Sequence, residues 1–188
     1  MAFPGMDTGG VTIYFPPPPG AMELNFGDEW RARYVSGEEL PKGIPATYGY
    51  ALLVLDEKGY VVRSRGEDGP WGTIEGDFLA GEKGPAWAKR VAKEQANATP
   101  ARSELVGYLE CRATSHNPDF PVGATTVRPI YLIIAKQVKD LGPSAAYERR
   151  RLPLNEYTMA IRTRYPELHN YMVPAVDVYL TLRARGEI

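Results

Sequence analysis

The sequence contains few of the residues on which disulfide-bonded, metal-cluster and membrane proteins depend. It has 188 residues, with one cysteine, Cys111, and two histidines. A single cysteine excludes an internal disulfide bond and a cysteine metal cluster, and it is consistent with a reducing compartment. No stretch approaches the roughly 18 uncharged apolar residues of a membrane-spanning helix. We therefore expect a cytoplasmic protein that does not interact with membranes.

The chain also lacks an excess of charge of either sign. Its 22 basic residues nearly balance its 23 acidic residues, which leaves a formal net charge of -1. Binding to nucleic acid or to an anionic membrane usually requires a broad positive field, and this balance does not provide one. The N-terminal residues MAFPGMDTGG do not have the basic and then apolar layout of a signal peptide. We expect no nucleic-acid partner, no export, and only local recognition of phosphate.

The apolar content is typical of one globular domain, with 44% hydrophobic and 24% charged residues. Residues 47–55 form a nearly continuous apolar run, which the turn sequence DEKG separates from a second apolar segment at 60–65. This pattern predicts a β-hairpin. Two further strands are predicted at 103–113 and 125–138, joined by a loop with two prolines.

Helices are predicted at two places in the chain. Residues 84–96 begin with Gly84 and Pro85, are rich in Ala, Lys and Glu, and should end near Asn97 because Pro100 follows. The last part of the chain, from residue 152, reads as one or two helices with a break at Pro166 and a kink at Pro174. Strands and helices in this order indicate a mixed α/β domain.

The N-terminal part is different in character. Residues 11–19, VTIYFPPPP, predict a short strand that runs into an extended proline segment. This segment suits a stiff spacer, and its alternative role is that of a polyproline ligand for another protein. Residues 22–35 then offer two short strands with Gly27 and Asp28 between them.

A longer motif occupies residues 72–98, GTIEGDFLAGEKGPAWAKRVAKEQANA. Gly76, Glu82, Arg90 and Glu94 have the spacing of the Nudix box, G-x5-E-x7-R-E-U-x-E-E-x-G-U, in which U is a bulky aliphatic residue. The segment RRRLPLNE at 149–156 also resembles the late strand that leads into the family's C-terminal helix. The resemblance implies a Nudix-type α/β/α sandwich with a mixed sheet at 45–188. A short β-rich extension at 1–44 would precede it and support a homodimer.

Two carboxylate positions and the glycine position of the family's pattern are substituted. Val91 stands in place of a glutamate, Gln95 in place of the second of two paired glutamates, and Asn97 in place of a glycine. Residues 91, 94 and 95 share one helix face, on which the family's carboxylates converge on magnesium. Valine offers no ligand and glutamine offers only a neutral oxygen. Glu94 is therefore the one metal ligand that we predict on this face, and magnesium binding should be weak or absent.

The resemblance implies a protein that binds a nucleotide or a nucleoside diphosphate derivative, with pyrophosphohydrolase activity weakened or lost. The alternative is a magnesium-dependent Nudix pyrophosphohydrolase with a rebuilt metal site, and a third hypothesis is a structural or protein-interaction module. If catalysis is retained, it should involve Glu94, with Glu82 and Arg90 bracing the loop against the helix. The predicted ligand-binding residues are Glu75, Gly76, Gln95, Arg151 and Tyr50.

Other residues have both a functional and an ordinary interpretation. Four acidic residues either replace missing metal ligands or are solvated acids: Glu75, Asp77, Glu110 and Asp119. His116 is either a general base or a polar loop residue. The three arginines at 149–151 are a phosphate site or a solvated strand end. Four tyrosines either stack on a nucleobase or pack in the core: Tyr48, Tyr50, Tyr108 and Tyr131.

Overall fold

The computed structural model describes residues 29–37, 39–164 and 168–188. The strand and proline segment predicted at 11–19, the turn at Gly27 and Asp28, and the helix break at Pro166 lie outside the described residues. The described chain forms seven strands and three helices. They are β1 (Trp30–Ser36), β2 (Tyr48–Leu55), β3 (Lys58–Ser64), β4 (Ile74–Asp77), α1 (Gly84–Ala96), β5 (Ala98–Ala113), β6 (Thr125–Val138), β7 (Tyr147–Pro153), α2 (Leu154–Arg162) and α3 (Leu168–Ala184).

The seven strands form one mixed sheet. Its strand order is β1-β5-β6-β2-β3-β7, and β4 also pairs with β2. The β2 and β6 strands are parallel, whereas the other pairs are antiparallel. The mixed sheet expected from the sequence is confirmed. The β1 strand, which falls within the segment interpreted as an N-terminal extension, is one edge strand of this sheet.

Helices cover both faces of the sheet because the central strands are apolar on both sides. On one face, α1 packs its buried residues Trp87, Ala88 and Val91 against Ala51 and Leu53 of β2. On the other face, buried residues of α2 and α3 share a core with the alternating positions of β2. That second core includes Tyr50, Leu52, Val54, Tyr157, Ile161 and Met172. The result is an α/β/α sandwich.

The hairpin between β2 and β3 is tighter than its sequence suggests. Asp56 and Glu57 occupy the turn with φ angles of 47° and 64°. Two consecutive left-handed residues match the twist of the flanking strands. The β5 strand is longer than predicted, since it begins at Ala98 rather than at 103, and the sheet accommodates Pro100 at a register shift.

The predicted bounds of α1 are confirmed. Pro85 lies in its first turn, and Asn97 follows its last residue with φ 49° and ψ 39°. The Asn97 amide N–H donates to the Lys93 carbonyl at 3.0 Å, and its side-chain nitrogen donates to the Asp140 carbonyl at 2.8 Å. Asparagine thus takes the left-handed position where the family has glycine. Within the described ranges, no helix combines the length and apolarity needed to cross a membrane.

A fork in the sheet positions the functional site. One edge of β2 pairs with β4 through residues 48–51 and with β3 through residues 53–55. Beyond these ladders, a bridge between Val62 and Gly72 connects the two branches. Residues of β3, β4 and α1 line a gap between the two branches.

Candidate functional site

A cavity of about 410 Å³ lies at the fork between β3 and β4. Its walls come from these two strands, from α1, from Tyr147 at the start of β7 and from Arg164, which follows α2. Six charged residues line it: Arg63, Glu75, Asp77, Arg90, Glu94 and Arg164. The helix face that resembles the Nudix metal site therefore borders a cavity of ligand size.

Arg90 braces the loop before α1 against the helix. Its Nε lies 2.8 Å from Glu82 Oε1, and its Nη2 lies 2.7 Å from Glu82 Oε2. Nη2 also donates to the Asp77 carbonyl at 2.7 Å. The expected contact between Arg90 and Glu82 is confirmed, in the bidentate geometry that suits a guanidinium and a carboxylate.

Glu82 is held from two sides. Only 9% of its side chain is exposed, and Oε2 accepts a second hydrogen bond from the Leu79 amide at 3.1 Å. The Arg90 guanidinium, with this amide and despite partial burial, holds the pKa of Glu82 below its usual value. Glu82 is therefore a charged structural residue of the loop.

Gln95 is bonded to the backbone of β4. Its Nε2 donates to the Glu75 carbonyl, and its Oε1 accepts from the Glu75 amide at 3.2 Å. Its side chain forms these bonds from a buried position, with 5% of the residue exposed. The one oxygen that Gln95 could offer to a cation is thus already used by the protein.

Val91 packs on the same helix face and contacts Gly76 of β4. It is fully buried, and its Cγ1 lies 3.4 Å from the position that a Cβ would take on Gly76. The Gly76 carbonyl accepts from Trp87 Nε1 at 3.1 Å. The backbone carbonyls of Glu75 and Gly76 both receive hydrogen bonds from α1 side chains, so the β4 carbonyls beside the helix are engaged as well.

Glu94 is the remaining carboxylate of this face. Its side chain is 51% exposed, and Oε2 lies 3.3 Å from Arg90 Nη1. Among the described residues, no group of three His, Cys, Asp or Glu side chains is placed to hold a metal ion. Magnesium needs several oxygen ligands, and here one oxygen-bearing side chain is bonded to the backbone while another is paired with arginine. These residues do not fit the magnesium site of the family.

Two arginines in the cavity wall were not identified from the sequence. Arg164 Nη2 lies 2.7 Å from Glu75 Oε1. Arg63 donates to Glu148 Oε1 at 2.5 Å and to the Gly69 carbonyl at 3.2 Å, and its guanidinium lies over the Trp71 ring. Neither arginine belongs to a motif, because each reaches the cavity only through the strand pairing and helix packing of distant segments.

Tyrosines also lie at the cavity. Tyr48 and Tyr147 line it, whereas Tyr50 is a core residue with 1% exposure whose hydroxyl accepts from Arg128 at 3.2 Å. Burial is the main reason that the pKa of Tyr48 is raised, and the nearby Glu75 carboxylate adds to the effect. Tyr48 is therefore neutral at physiological pH.

Several residues singled out from the sequence lie away from the cavity lining. Arg151 donates to the Leu55 carbonyl and to Asp56 at the β2–β3 turn. Glu110 pairs with Arg33 on β1. His116 and Asp119 belong to the loop between β5 and β6. Of the predicted ligand-binding set, the cavity lining brings together Glu75, Gly76 and Gln95, beside Arg90 and Glu94.

No protein-family profile and no curated protein sequence matches the chain. Solved structures do. A pyrophosphohydrolase of Bacillus subtilis superposes with a TM-score of 0.52 at 12% identity, over 65% of this chain and 72% of that one. A Nudix hydrolase of Nitrosomonas europaea gives a TM-score of 0.50 at 15% identity, over 71% and 89% of the two chains. Together with the mixed sheet between helices, these superpositions show that the chain has the fold of the Nudix hydrolases.

Proposed function

We propose that this protein binds a nucleotide or a nucleoside diphosphate derivative in the cavity at the sheet fork, and that pyrophosphohydrolysis by the family's magnesium mechanism is weakened or lost. The proposal keeps the cytoplasmic location and the homodimer predicted from the sequence. Sedimentation of the full chain tests the homodimer.

The double hydrogen bond between Gln95 and the Glu75 backbone carries this proposal. It uses both polar atoms of Gln95, and the fully buried Val91 fills the adjacent position. A helix face that binds magnesium needs carboxylates directed at the cation. This face instead packs against β4, so its side chains hold that strand against the helix.

The cavity itself supports the binding part of the proposal. Its volume of about 410 Å³ falls in the range of small-molecule sites. Three arginines in its wall are suited to phosphate, and Tyr48 and Tyr147 offer aromatic surface to a base or a sugar. The structurally similar Bacillus subtilis protein is named a pyrophosphohydrolase, which also favours a ligand with a diphosphate group.

A thermal-shift screen tests the proposal. Nucleotides and nucleotide sugars, including ADP-ribose, are compared with and without magnesium, because a ligand that binds the native state raises its melting temperature by mass action. We expect stabilisation by a nucleotide derivative that does not depend on magnesium. Rapid hydrolysis of ADP-ribose, dinucleoside polyphosphates or nucleoside triphosphates at millimolar magnesium would contradict the proposal.

The second candidate is a magnesium-dependent pyrophosphohydrolase with a rebuilt site. It is favoured by one observation, that Asp77 and Glu94 both line the cavity. If this candidate is correct, Asp77→Asn and Glu94→Gln should each abolish magnesium-dependent turnover. Asp68→Asn, an exposed position outside the cavity lining, is the matched control.

A further inference from the structure

We infer that Arg164 binds the phosphate of the ligand directly, so that a guanidinium of the chain provides the positive charge that a magnesium ion provides in the family. The inference rests on the proposed function, because it assigns a role within the same cavity. It also predicts that this ligand binds without metal.

The position of Arg164 is the first argument. It follows the end of α2 and lines the cavity, where its Nη2 lies 2.7 Å from Glu75 Oε1. Glu75 is fixed in turn, because Gln95 bonds to both its backbone N–H and its carbonyl. Gln95, which stands in place of a metal ligand, thus fixes the backbone at Glu75. Glu75 in turn holds the Arg164 side chain in the cavity.

The three arginines of the wall differ in how far they are accessible. The side chain of Arg164 is 36% exposed, against 25% for Arg90 and 22% for Arg63. Arg90 is engaged by Glu82, Glu94 and the Asp77 carbonyl. Arg63 is held by Glu148 and covers the Trp71 ring. Arg164 is therefore the most exposed of the three arginines, and the ligand can reach its guanidinium from the cavity.

The chemistry of the pair suits exchange with a ligand. A guanidinium has several N–H donors in one plane and binds carboxylate and phosphate with the same geometry. The Glu75 carboxylate, of which 11% is exposed, holds Arg164 when no ligand is bound. A phosphate would compete with this carboxylate for the same donors. Removing the carboxylate should therefore strengthen phosphate binding.

The charges of the wall limit the class of ligand. Arg63, Arg90 and Arg164 are balanced by Glu75, Asp77 and Glu94, so the lining has no excess of positive charge. Each additional phosphate on the ligand would meet these carboxylates without a metal to neutralise it. A diphosphate with a substituent at each end has less charge than a nucleoside triphosphate. We therefore expect ADP-ribose to bind more tightly than ATP when metal is absent.

Calorimetric titration of the full chain with ADP-ribose and with ATP, in buffer with EDTA, tests the inference. Arg164→Gln should weaken ADP-ribose binding about tenfold, the loss typical of one charge-assisted contact. Arg162→Gln makes the same charge change on an exposed residue of α2 outside the cavity lining, and it should leave the affinity unchanged. Glu75→Gln should raise the affinity several-fold.

The two cavity variants should change the affinity for ADP-ribose in opposite directions. A pair with a purely structural role would not give this result. If Arg164→Gln and Glu75→Gln weaken binding equally, or if Arg164→Gln binds as the wild type does, the inference is wrong and the proposed function stands. The same holds if ADP-ribose binds more weakly than ATP. Binding of ADP-ribose only with magnesium contradicts the inference and favours the magnesium-dependent candidate instead. If the wild type binds neither compound and none of the nucleotides of the thermal-shift screen, both proposals fail. If Arg164→Gln does not fold, Arg164→Lys and Glu75→Gln test instead whether Arg164 binds the phosphate. Arg164→Lys keeps the positive charge but lacks the planar guanidinium.

Discussion

Single atoms decide what the helix face of α1 can do. Glutamine and glutamate have nearly the same shape, but only the amide can both donate to the Glu75 carbonyl and accept from the Glu75 N–H. Valine and glutamate differ more, since the buried position of Val91 has no room for hydration. At this scale the difference between a metal site and a packed interface lies in two side chains.

Gln95→Glu should therefore destabilise the protein rather than restore metal binding. A carboxylate cannot donate to the Glu75 carbonyl, and it would bring a buried charge close to that oxygen. We expect a loss of about 2 kcal/mol in the free energy of unfolding, measured by urea denaturation. Lys89→Gln, an exposed change on the same helix, is the control. A Gln95→Glu protein of unchanged stability that binds magnesium calorimetrically would contradict our interpretation of this face.

The two glutamates bonded to Arg90 should differ in their effect on the loop. Glu82→Gln removes an ionised carboxylate that is 9% exposed, whereas Glu94→Gln removes one that is 51% exposed. Exposed ion pairs contribute little to stability. Hydrogen exchange at residues 74–84 should accelerate strongly in Glu82→Gln and barely in Glu94→Gln, while the rest of the domain keeps its protection. Equal rates in the two variants would show that Arg90 does not brace the loop.

At the scale of elements, α1 ends at Ala96, immediately before Asn97, as the sequence predicts. Asn97 takes left-handed dihedral angles, which cost a residue with an ordinary Cβ about 1 kcal/mol and which asparagine tolerates. Asn97→Ala should destabilise the protein by that amount plus the lost bond to the Asp140 carbonyl. Asn97→Gly loses the bond but relieves the backbone, so it should be close to wild type in urea denaturation. A larger loss for glycine than for alanine would contradict this account.

Features that depend on local contacts could be predicted from the sequence, whereas features that depend on long-range contacts could not. The bounds of α1 and the contact between Arg90 and Glu82 follow from local spacing, because turns, caps and helix faces depend on residues within a few positions. The longer β5 strand was not predicted because Pro100 argues against a strand unless a register shift in the partner accommodates it. Arg164 could not be identified at all, since 89 residues separate it from Glu75 and only tertiary packing brings them together.

For the molecule as a whole, the buried tyrosines limit the stability of the folded state at high pH. Burial raises the pKa values of Tyr50 and Tyr157, which are exposed by 1% and 0%. In the unfolded chain both phenols lose their protons near pH 10, whereas the folded state retains them. Their contribution to stability is therefore fully present below about pH 10 and is lost as the pH rises beyond it.

Urea denaturation at a series of pH values should show this loss. We expect the free energy of unfolding to fall above about pH 10 by about 1.4 kcal/mol per pH unit for each of the two tyrosines. Tyr157→Phe should be less stable at neutral pH, because the 2.6 Å hydrogen bond to Thr73 is lost, but its stability should fall less steeply in alkali. An unchanged slope would show that Tyr157 is accessible to hydroxide.

The bond between Gln95 and Glu75 also has a consequence for the mutational paths open to this sequence. A step to glutamate at position 95 breaks that bond before any cation can compensate, and a step to glutamate at position 91 buries a charge against Gly76. Each single step lowers stability, so either order of the two passes through an intermediate that is less stable than the present sequence. The packing of α1 against β4 would therefore oppose the gain of carboxylates at positions 91 and 95, even under selection for hydrolysis.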